Sequence, residues 1–182
     1  MNRQLTDVVT EPHPQNSSNY LQSWAPPVKE RPVSHEARLT SLGLTLPEAP
    51  TPMAAYVPAL QTDNLLWIAG QPPGGDWKGR VGEAYDVQTG ARAARDAGLN
   101  ILAQVRKAAG SLDAVVRVVK VVGFVNAAPE VDDVHLVVNG CSELMQEVFD
   151  EAGRHTRSAV GCSTLPMQIP VEIEAVFQLR SP

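Results

Sequence analysis

The sequence predicts an α+β protein in which two helices pack on one face of a mostly antiparallel sheet. Three observations favour this class: two apolar runs around a short polar turn, two long segments with helical periodicity, and a valine-rich run between those segments. Two strand-like runs follow the second helix, so the element order is ββ-α-β-α-ββ. With 182 residues, of which 43% are hydrophobic, the chain is long enough for one core.

The first half begins with a short helix and a hairpin. Residues 35–42 contain good helix formers, and Gly43 follows as a helix end. Apolar runs at 54–60 and 65–70 flank the polar residues 61–64, which is typical of a hairpin with a four-residue connection.

The second half alternates helices and strands. Residues 85–109 form an alanine-rich amphipathic pattern, and residues 133–153 repeat apolar side chains at spacings of three and four. Residues 113–126 are almost entirely β-branched, which predicts the middle strand of the sheet, buried on much of both faces. The segments 158–162 and 171–179 complete the strands.

The two helices leave the second face of this sheet without a covering layer. Valine-rich strands exposed in this way favour self-association, so we expect the chain to form an oligomer through the open face or the strand edges.

Composition and charge exclude several function classes. The net charge of −5 repels phosphate backbones, so we expect no nucleic-acid partner. The two cysteines match no zinc spacing and the four histidines no metal-ligand spacing, so no metal is expected. No segment resembles a membrane span or an export signal, which predicts a cytoplasmic protein without a membrane partner. Residues 1–35 are proline-rich and polar, which is typical of an N-terminal arm that is flexible or docks on a neighbour.

The C-terminal segment HTRSAVGCSTLPMQIPVEIEAVF, residues 155–177, resembles the signature of the YjgF/RidA family. Similar matches run upstream to residue 54, and the segment RLTSLGLTLP, residues 38–47, is similar to that of a longer YjgF-like branch. The resemblance implies that residues 36–182 form a chorismate-mutase-like fold. It also implies a homotrimer with three ligand clefts between subunits, which agrees with the uncovered sheet face.

The resemblance also implies roles for particular residues. Arg157 is expected to bind a substrate carboxylate, and a planar guanidinium suits this through two parallel hydrogen bonds. Glu172 is expected to position the attacking water, and strand alternation places Glu174 on the same face. The remaining substrate-binding candidates are Tyr56, which is expected to close the cleft, Asn139, Ala159 and Gly70.

The predicted function is that of a cofactor-free enamine/imine deaminase, which hydrolyses a small carboxylate-bearing imine to a keto acid and ammonia. Two alternatives stay open: a non-catalytic trimer that binds a carboxylate metabolite, and a pathway-specific enzyme of aminomuconate-deaminase or chorismatase type. Ala159 stands where the family often has a cysteine, so a thiol is absent there and only the backbone carbonyl can hold the water. We expect Cys162 to be a core residue.

Overall fold

The sheet has five strands in the order β1-β2-β5-β3-β4. The computed structural model of the protein describes residues 34–181; the predicted arm therefore lies almost entirely outside the described residues. The longer elements are α1 (His35–Ser41), β1 (Ala59–Thr62), β2 (Leu65–Gln71), α2 (Val87–Ala109), β3 (Val115–Asn126), α3 (Val134–Phe149), β4 (Thr156–Cys162) and β5 (Val171–Leu179).

Three of the four strand pairings are antiparallel, and only β3 and β4 run parallel. The parallel pair follows from the connection, because α3 crosses over the sheet between these two strands and returns the chain to the same edge. The predicted α+β class, the element order and the mostly antiparallel sheet are confirmed.

The hairpin is shorter than predicted. Strand β1 begins at Ala59 and not near residue 54, and the connection to β2 is the pair Asp63-Asn64. Prolines at 50, 52 and 58 lack the N–H that a ladder needs, which keeps the preceding segment out of the sheet. Asp63 has a φ of 52°, as a tight two-residue turn requires.

Strand β5, and not β3, lies in the middle of the sheet. Residues 113–126 contain an interior strand with neighbours on both sides, as expected of a central strand, but it is not the middle one, and the expected burial on both faces was wrong. Along β3, Val118, Val121 and Val125 are buried under the helices, whereas Val116 is 44% exposed. The valine content suits a half-buried pleated strand, because β-branched side chains pack well there; β5 pairs along almost the whole of β3, and β4 pairs from Lys120 to Asn126.

Helices α2 and α3 pack side by side on one face of the sheet, as predicted. Helix α2 begins at Asp86, whose carboxylate accepts a hydrogen bond from the Thr89 N–H at 2.7 Å. It ends at Gly110, with a φ of 79°. The helices approach closely at Gly140, where a Cβ would overlap with the carbonyl of Ala91. No helix among the described residues is long and apolar enough to cross a membrane.

No helix of residues 34–181 packs on the opposite sheet face. Large apolar side chains stand exposed on this side, and we call it the open face; they include Val57 (60% exposed), Leu60, Trp67 (48%) and Val160. The predicted uncovered face is confirmed for the described part of the chain.

Candidate functional site

Arg157 lies on the edge strand β4, and its side chain extends toward α3. Its Nη1 donates to Asn139 Oδ1 at 2.8 Å and to Ser142 Oγ at 3.1 Å, while Nη2 donates to the carbonyl of His135 at 3.2 Å. Asn139 and Ser142 stand one helical turn apart, so both face the strand. Three neutral acceptors therefore fix the half-buried guanidinium in one orientation.

The contacts of Arg157 leave donors for a ligand. They use both hydrogens of Nη1 and one of Nη2, so Nε–H and one Nη2 hydrogen have no partner among residues 34–181. No carboxylate of the described residues forms an ion pair with Arg157, whereas Arg95 and Arg106 each pair with a glutamate. An oriented arginine without an acidic partner is ready to take an external carboxylate.

A histidine and a serine continue the hydrogen-bonded group behind Arg157. His155 Nδ1 lies 2.6 Å from the carbonyl of Gly153, and its Nε2 lies 3.0 Å from Ser142 Oγ. A carbonyl only accepts, so Nδ1 carries the proton and Nε2 of the neutral ring accepts from the serine hydroxyl. Burial lowers the pKa of His155, the Gly153 bond opposes this, and the nearby Arg157 charge lowers it further.

These groups open into a cavity of about 490 Å³ at the edge of the sheet, which we call the arginine cavity. Its lining is polar and carries both positive and negative side chains: Asn139, Ser142, Glu143, Gln146, Arg154, His155 and Arg157. Arg154 is exposed and pairs with Glu151 at 3.4 Å, so Arg157 is the arginine held in place here.

Glu172 lies on the central strand β5 and points to the open face. It pairs in register with Phe124 of β3, and its carboxyl group lies across Gly70 of β2, where a Cβ would overlap with it. Burial raises the pKa of Glu172, and the charge of Glu174 raises it further. The predicted alternation is confirmed, since both glutamates share this face while Val171, Ile173 and Ala175 are buried on the other.

Glu172 opens into a second cavity, of about 560 Å³, which we call the glutamate cavity. Tyr56, Gly70, Glu172 and Glu174 line it together with apolar residues that include Pro52, Met53, Pro166 and Met167. Tyr56 belongs to a bend before β1 and not to a strand, and its side chain is 46% exposed.

Two buried amides of α2 hold the walls of the glutamate cavity. Gln104 Nε2 donates to the carbonyl of Pro50 at 2.6 Å, and Asn100 Nδ2 donates to the carbonyl of Pro72 at 2.9 Å. The two side chains stand four residues apart on one helix face. Because each amide is almost fully buried, the loss of its hydrogen-bond partner costs more free energy than the loss of an exposed hydrogen bond would. The proline segments are therefore held firmly.

The predicted site residues thus fall into two groups on opposite faces of one sheet. Arg157 and Asn139 meet in the arginine cavity, whereas Tyr56, Gly70 and Glu172 meet in the glutamate cavity. Ala159 is half-buried on β4, pairs in register with Gly123 and packs against the core. A single chain does not bring the two groups together.

Ser142 and His155 were missed as site residues in the sequence. Two spacings could have found them. Ser142 follows Asn139 by three residues on a helix, and His155 precedes Arg157 by two residues at the start of a strand. Each spacing places a polar side chain on the face of a candidate already singled out.

The two cysteines differ in burial. Cys141 is fully buried between the helices and the sheet, and burial raises the pKa of its thiol to about 12. Cys162 is partly buried at the end of β4 and lies outside the core cluster, so the expectation of a core residue was wrong. Among residues 34–181 no cluster of three or more His, Cys, Asp or Glu side chains is arranged to hold a metal ion.

A mixed five-stranded sheet with two helices on one face defines a chorismate-mutase-like α+β protein. Residues 36–175 match the family described as "YjgF/chorismate mutase-like, putative endoribonuclease", and the chain belongs to this family.

The chain is similar to one curated protein and to several solved structures. Protein TCP17 of Trypanosoma cruzi is 39% identical over 150 residues, which cover 80% of this chain and 94% of that protein. Atu1372 of Agrobacterium tumefaciens, a protein of unknown function, has 44% identity and a TM-score of 0.74 over 80% of this chain and 92% of its own. A Shewanella oneidensis structure named a "putative endoribonuclease" has 30% identity and a TM-score of 0.78, over 80% and 99% of the two chains.

A solved relative holds a small molecule. The structure of Escherichia coli TdcF with bound serine is 27% identical, with a TM-score of 0.51, and covers 74% of this chain and 94% of that one.

Proposed function

We propose that this protein hydrolyses a small carboxylate-bearing imine or enamine to a keto acid and ammonia, without a cofactor. The observation that carries the proposal is Arg157, a half-buried guanidinium that is fixed by three neutral acceptors and has no acidic partner among the described residues. An arginine held in this way binds a carboxylate through parallel charge-assisted hydrogen bonds and places the adjacent carbon.

Glu172 supplies the base for the reaction. Water adds to the iminium carbon while the carboxylate takes a proton from that water, and the same proton later goes to the departing nitrogen. A raised pKa suits this exchange, because a carboxyl group that titrates nearer to neutral pH both accepts and returns a proton more readily.

The two groups meet between subunits. Arg157 and Glu172 lie on opposite faces of one sheet, so one chain cannot apply both to the same substrate. The open face exposes Val57, Leu60 and Trp67, an apolar surface that a second copy can cover. We propose a homotrimer with three clefts, each joining Arg157 of one copy to Tyr56, Gly70 and Glu172 of the next.

The relative with bound serine supports the substrate class. Serine carries a carboxylate and an amino group on one carbon, and a 2-imino acid carries its carboxylate and nitrogen in the same relation. The proposal therefore places an amino-acid-derived imine in the cleft.

Turnover of freshly generated imines tests the proposal. An amino-acid oxidase produces imines from several amino acids, and the rate of their loss is measured with and without this protein. Acceleration by wild type that Arg157→Ala removes is the expected result. No acceleration over buffer with any side chain, from protein that is folded, contradicts the proposal.

Ala159 favours a second candidate function. Because the thiol common at this position is absent, a trimer that binds a carboxylate metabolite without hydrolysing it also fits the cleft. Calorimetry with a 2-keto acid separates the two functions: saturable binding that needs Arg157, without turnover of any imine, supports the binding protein.

Endoribonuclease activity suits this chain less well. The net charge of −5 opposes binding to a phosphate backbone, and the arginine cavity contains Glu143 beside its two arginines. We expect weak RNA affinity, and a strong, salt-sensitive affinity in a filter-binding assay would contradict this.

A further inference from the structure

We infer that Met167 and Met53 form an apolar pocket for the side chain of the substrate, so that the protein acts on imines derived from amino acids with a large apolar side chain. The inference rests on the proposed hydrolysis and names the substrate class of that same cleft. It also gives a role to a turn whose backbone conformation the packing of the fold does not explain.

Met167 lies in a tight turn that joins β4 to β5. The Leu165 carbonyl accepts a hydrogen bond from the Gln168 N–H at 3.0 Å, which closes a four-residue turn with Pro166 second and Met167 third. Met167 has a φ of 56° and a ψ of 10°, and Gln168 follows with a φ of 59°. The third position of such a turn normally holds glycine or asparagine, because the Cβ of other residues is crowded in the left-handed conformation.

Packing does not account for a methionine at this position. The side chain of Met167 is 54% exposed and lies outside the core cluster, so a smaller residue there would lose little apolar burial. A strained backbone of this kind is retained mainly at functional sites. Met167 lines the glutamate cavity, which Glu172 also lines. The turn therefore presents a flexible apolar side chain to the proposed site of reaction.

Met53 supplies a second apolar side chain to this cavity from a different part of the chain. It is 77% exposed and belongs to the segment between Pro50 and Pro58, which precedes β1. Gln104 Nε2 donates to the carbonyl of Pro50 at 2.6 Å, so a buried amide of α2 anchors this segment. Both methionines thus lie outside the core and border one cavity of about 560 Å³.

The shape of an imino acid directs its side chain into this cavity. The imine carbon is planar and has three substituents: the carboxylate, the nitrogen and the side chain. In the proposed cleft the carboxylate binds Arg157 of one copy, and Glu172 of the next copy delivers water to one face of the plane. The carboxylate points toward the first copy, so the side chain and the nitrogen lie over the cavity that Glu172 shares with the methionines.

The lining of the glutamate cavity favours apolar side chains over acidic ones. Its walls consist mainly of proline, methionine, valine and alanine side chains. The carboxylates of Glu172 and Glu174 lie on the strand at its floor and repel an acidic side chain. Methionine is unbranched and adapts to different shapes, so leucine, methionine and phenylalanine side chains are all expected to fit. A short side chain such as that of alanine covers little of this apolar surface and gains little from it.

The test measures selectivity in the imine assay with the intact protein. An amino-acid oxidase generates imines from leucine, alanine, arginine and glutamate, and each kcat/KM is divided by the rate of hydrolysis of that imine in buffer. We expect wild type to favour the leucine-derived over the alanine-derived imine by at least about tenfold, because additional methylene groups in an apolar pocket are worth this much or more.

Variants of the two methionines should change this ratio. Met167→Gly removes the side chain and suits the left-handed backbone, so it should fold and lower the ratio at least about fivefold. Met167→Leu keeps an apolar side chain of similar volume and should stay within about twofold of wild type. Met53→Ala should also lower the ratio, and the double variant should lower it furthest. Leu42→Asn, at an exposed apolar position outside both cavities, is the control and should keep the wild-type ratio.

Several outcomes overturn the inference while the proposed hydrolysis stands. One is an unchanged ratio in Met167→Gly, and another is a wild type without preference for the leucine-derived imine. A preference for the arginine-derived imine would instead assign the cavity to a basic side chain that pairs with Glu174. Light scattering after gel filtration tests a role of Met167 in subunit contact: a loss of the wild-type mass in Met167→Gly also overturns the inference. A wild type without turnover of any imine overturns both, so the two failures are distinguishable.

Discussion

The two cavities differ in how much of their structure one chain completes. In the arginine cavity the side chains are fixed by hydrogen bonds within the chain, and the guanidinium already has its orientation. In the glutamate cavity the walls are held by Gln104 and Asn100, but the carboxyl group of Glu172 makes no hydrogen bond to residues 34–181 and faces an apolar surface open to solvent. The side chains of the arginine cavity are therefore fixed within one chain, whereas the glutamate cavity is open on one side.

This difference between the two cavities indicates that a second copy would complete the site on the side of Glu172. A carboxyl group that is partly buried without a partner, and whose pKa is raised by that burial, lowers the stability of the fold. Such groups are retained mainly where function requires them. The open face beside it carries exposed apolar side chains, which lose contact with water when another copy covers them. On the proposed function, one chain binds the substrate carboxylate and a second copy is needed for the chemistry.

The largest expected effect comes from breaking the proposed trimer. Trp67→Glu places a charge on the open face, where Trp67 is 48% exposed and not needed for the core. We expect a folded monomer without turnover, because burying an unpaired charge in an interface costs several kcal/mol. Light scattering after gel filtration measures the mass. Leu42→Glu, at an exposed apolar position at the end of α1, is the control and should remain trimeric; a trimeric Trp67→Glu protein contradicts the assigned interface.

Removing the carboxylate donor has the next largest effect. Arg157→Ala loses two charge-assisted hydrogen bonds to the ligand, each worth about 1.5–3 kcal/mol, so the dissociation constant of a keto acid should rise at least about 100-fold. Calorimetry measures it. Arg154→Ala is the matched control, since it removes an exposed arginine from the same cavity, and its effect should stay within about threefold. Equal losses in the two variants would show that general positive charge, and not the fixed guanidinium, binds the ligand.

A smaller change tests the placement of Glu172. Gly70→Ala adds a Cβ that overlaps with the Glu172 carboxyl group, which must move away from its position over β2. We expect turnover to fall by about tenfold or more, because a displacement of about 1 Å costs this much or more at a reacting centre. Gly74→Ala, where a Cβ meets no atom within 4 Å, is the control in the same kinetic assay. Unchanged turnover in Gly70→Ala contradicts a catalytic position for Glu172.

The smallest effect concerns stability. The pKa of Glu172 is higher in the folded protein than in the unfolded chain. The contribution of this residue to the free energy of unfolding is therefore fully present below the unfolded pKa and is lost as pH rises through the folded pKa. Glu172→Gln removes that loss, and the variant should melt about 2 °C above wild type at pH 7 but equally at pH 4. Thermal unfolding followed by circular dichroism measures this. The exposed Glu48→Gln should show no difference at either pH, and a destabilised Glu172→Gln at pH 7 contradicts the assigned cost of the charge.

Much of the fold could be predicted because each element has a local cause. Helix α2 was predicted to within two residues, since Asp86 and Gly110 mark its ends by capping chemistry. The position of β3 could not be predicted, because strand order depends on which edge the crossover helix reaches, and a valine-rich run fits a middle or a neighbouring position equally well.

The site was predicted only as a set of residues. Alternation along β5 placed Glu172 and Glu174 together, and the structure confirms this. The pairing register of β3 with both neighbours decides that Arg157 faces α3 and that Glu172 faces the open side. No single segment of the sequence encodes this register. The Ser142–His155 pair depends on a contact between a helix and the residue before a strand, 13 positions apart.

The central claim is that each site joins Arg157 of one copy to Glu172 of another, and complementation tests it most directly. Arg157→Ala and Glu172→Gln are each expected to be inactive alone. Co-expressed in equal amounts, they assort at random into trimers, and about one quarter of all clefts contain both wild-type residues, one in each mixed trimer. We predict imine hydrolysis at about one quarter of the wild-type rate per site, and mixed trimers as inactive as the two parents would contradict a site shared between copies.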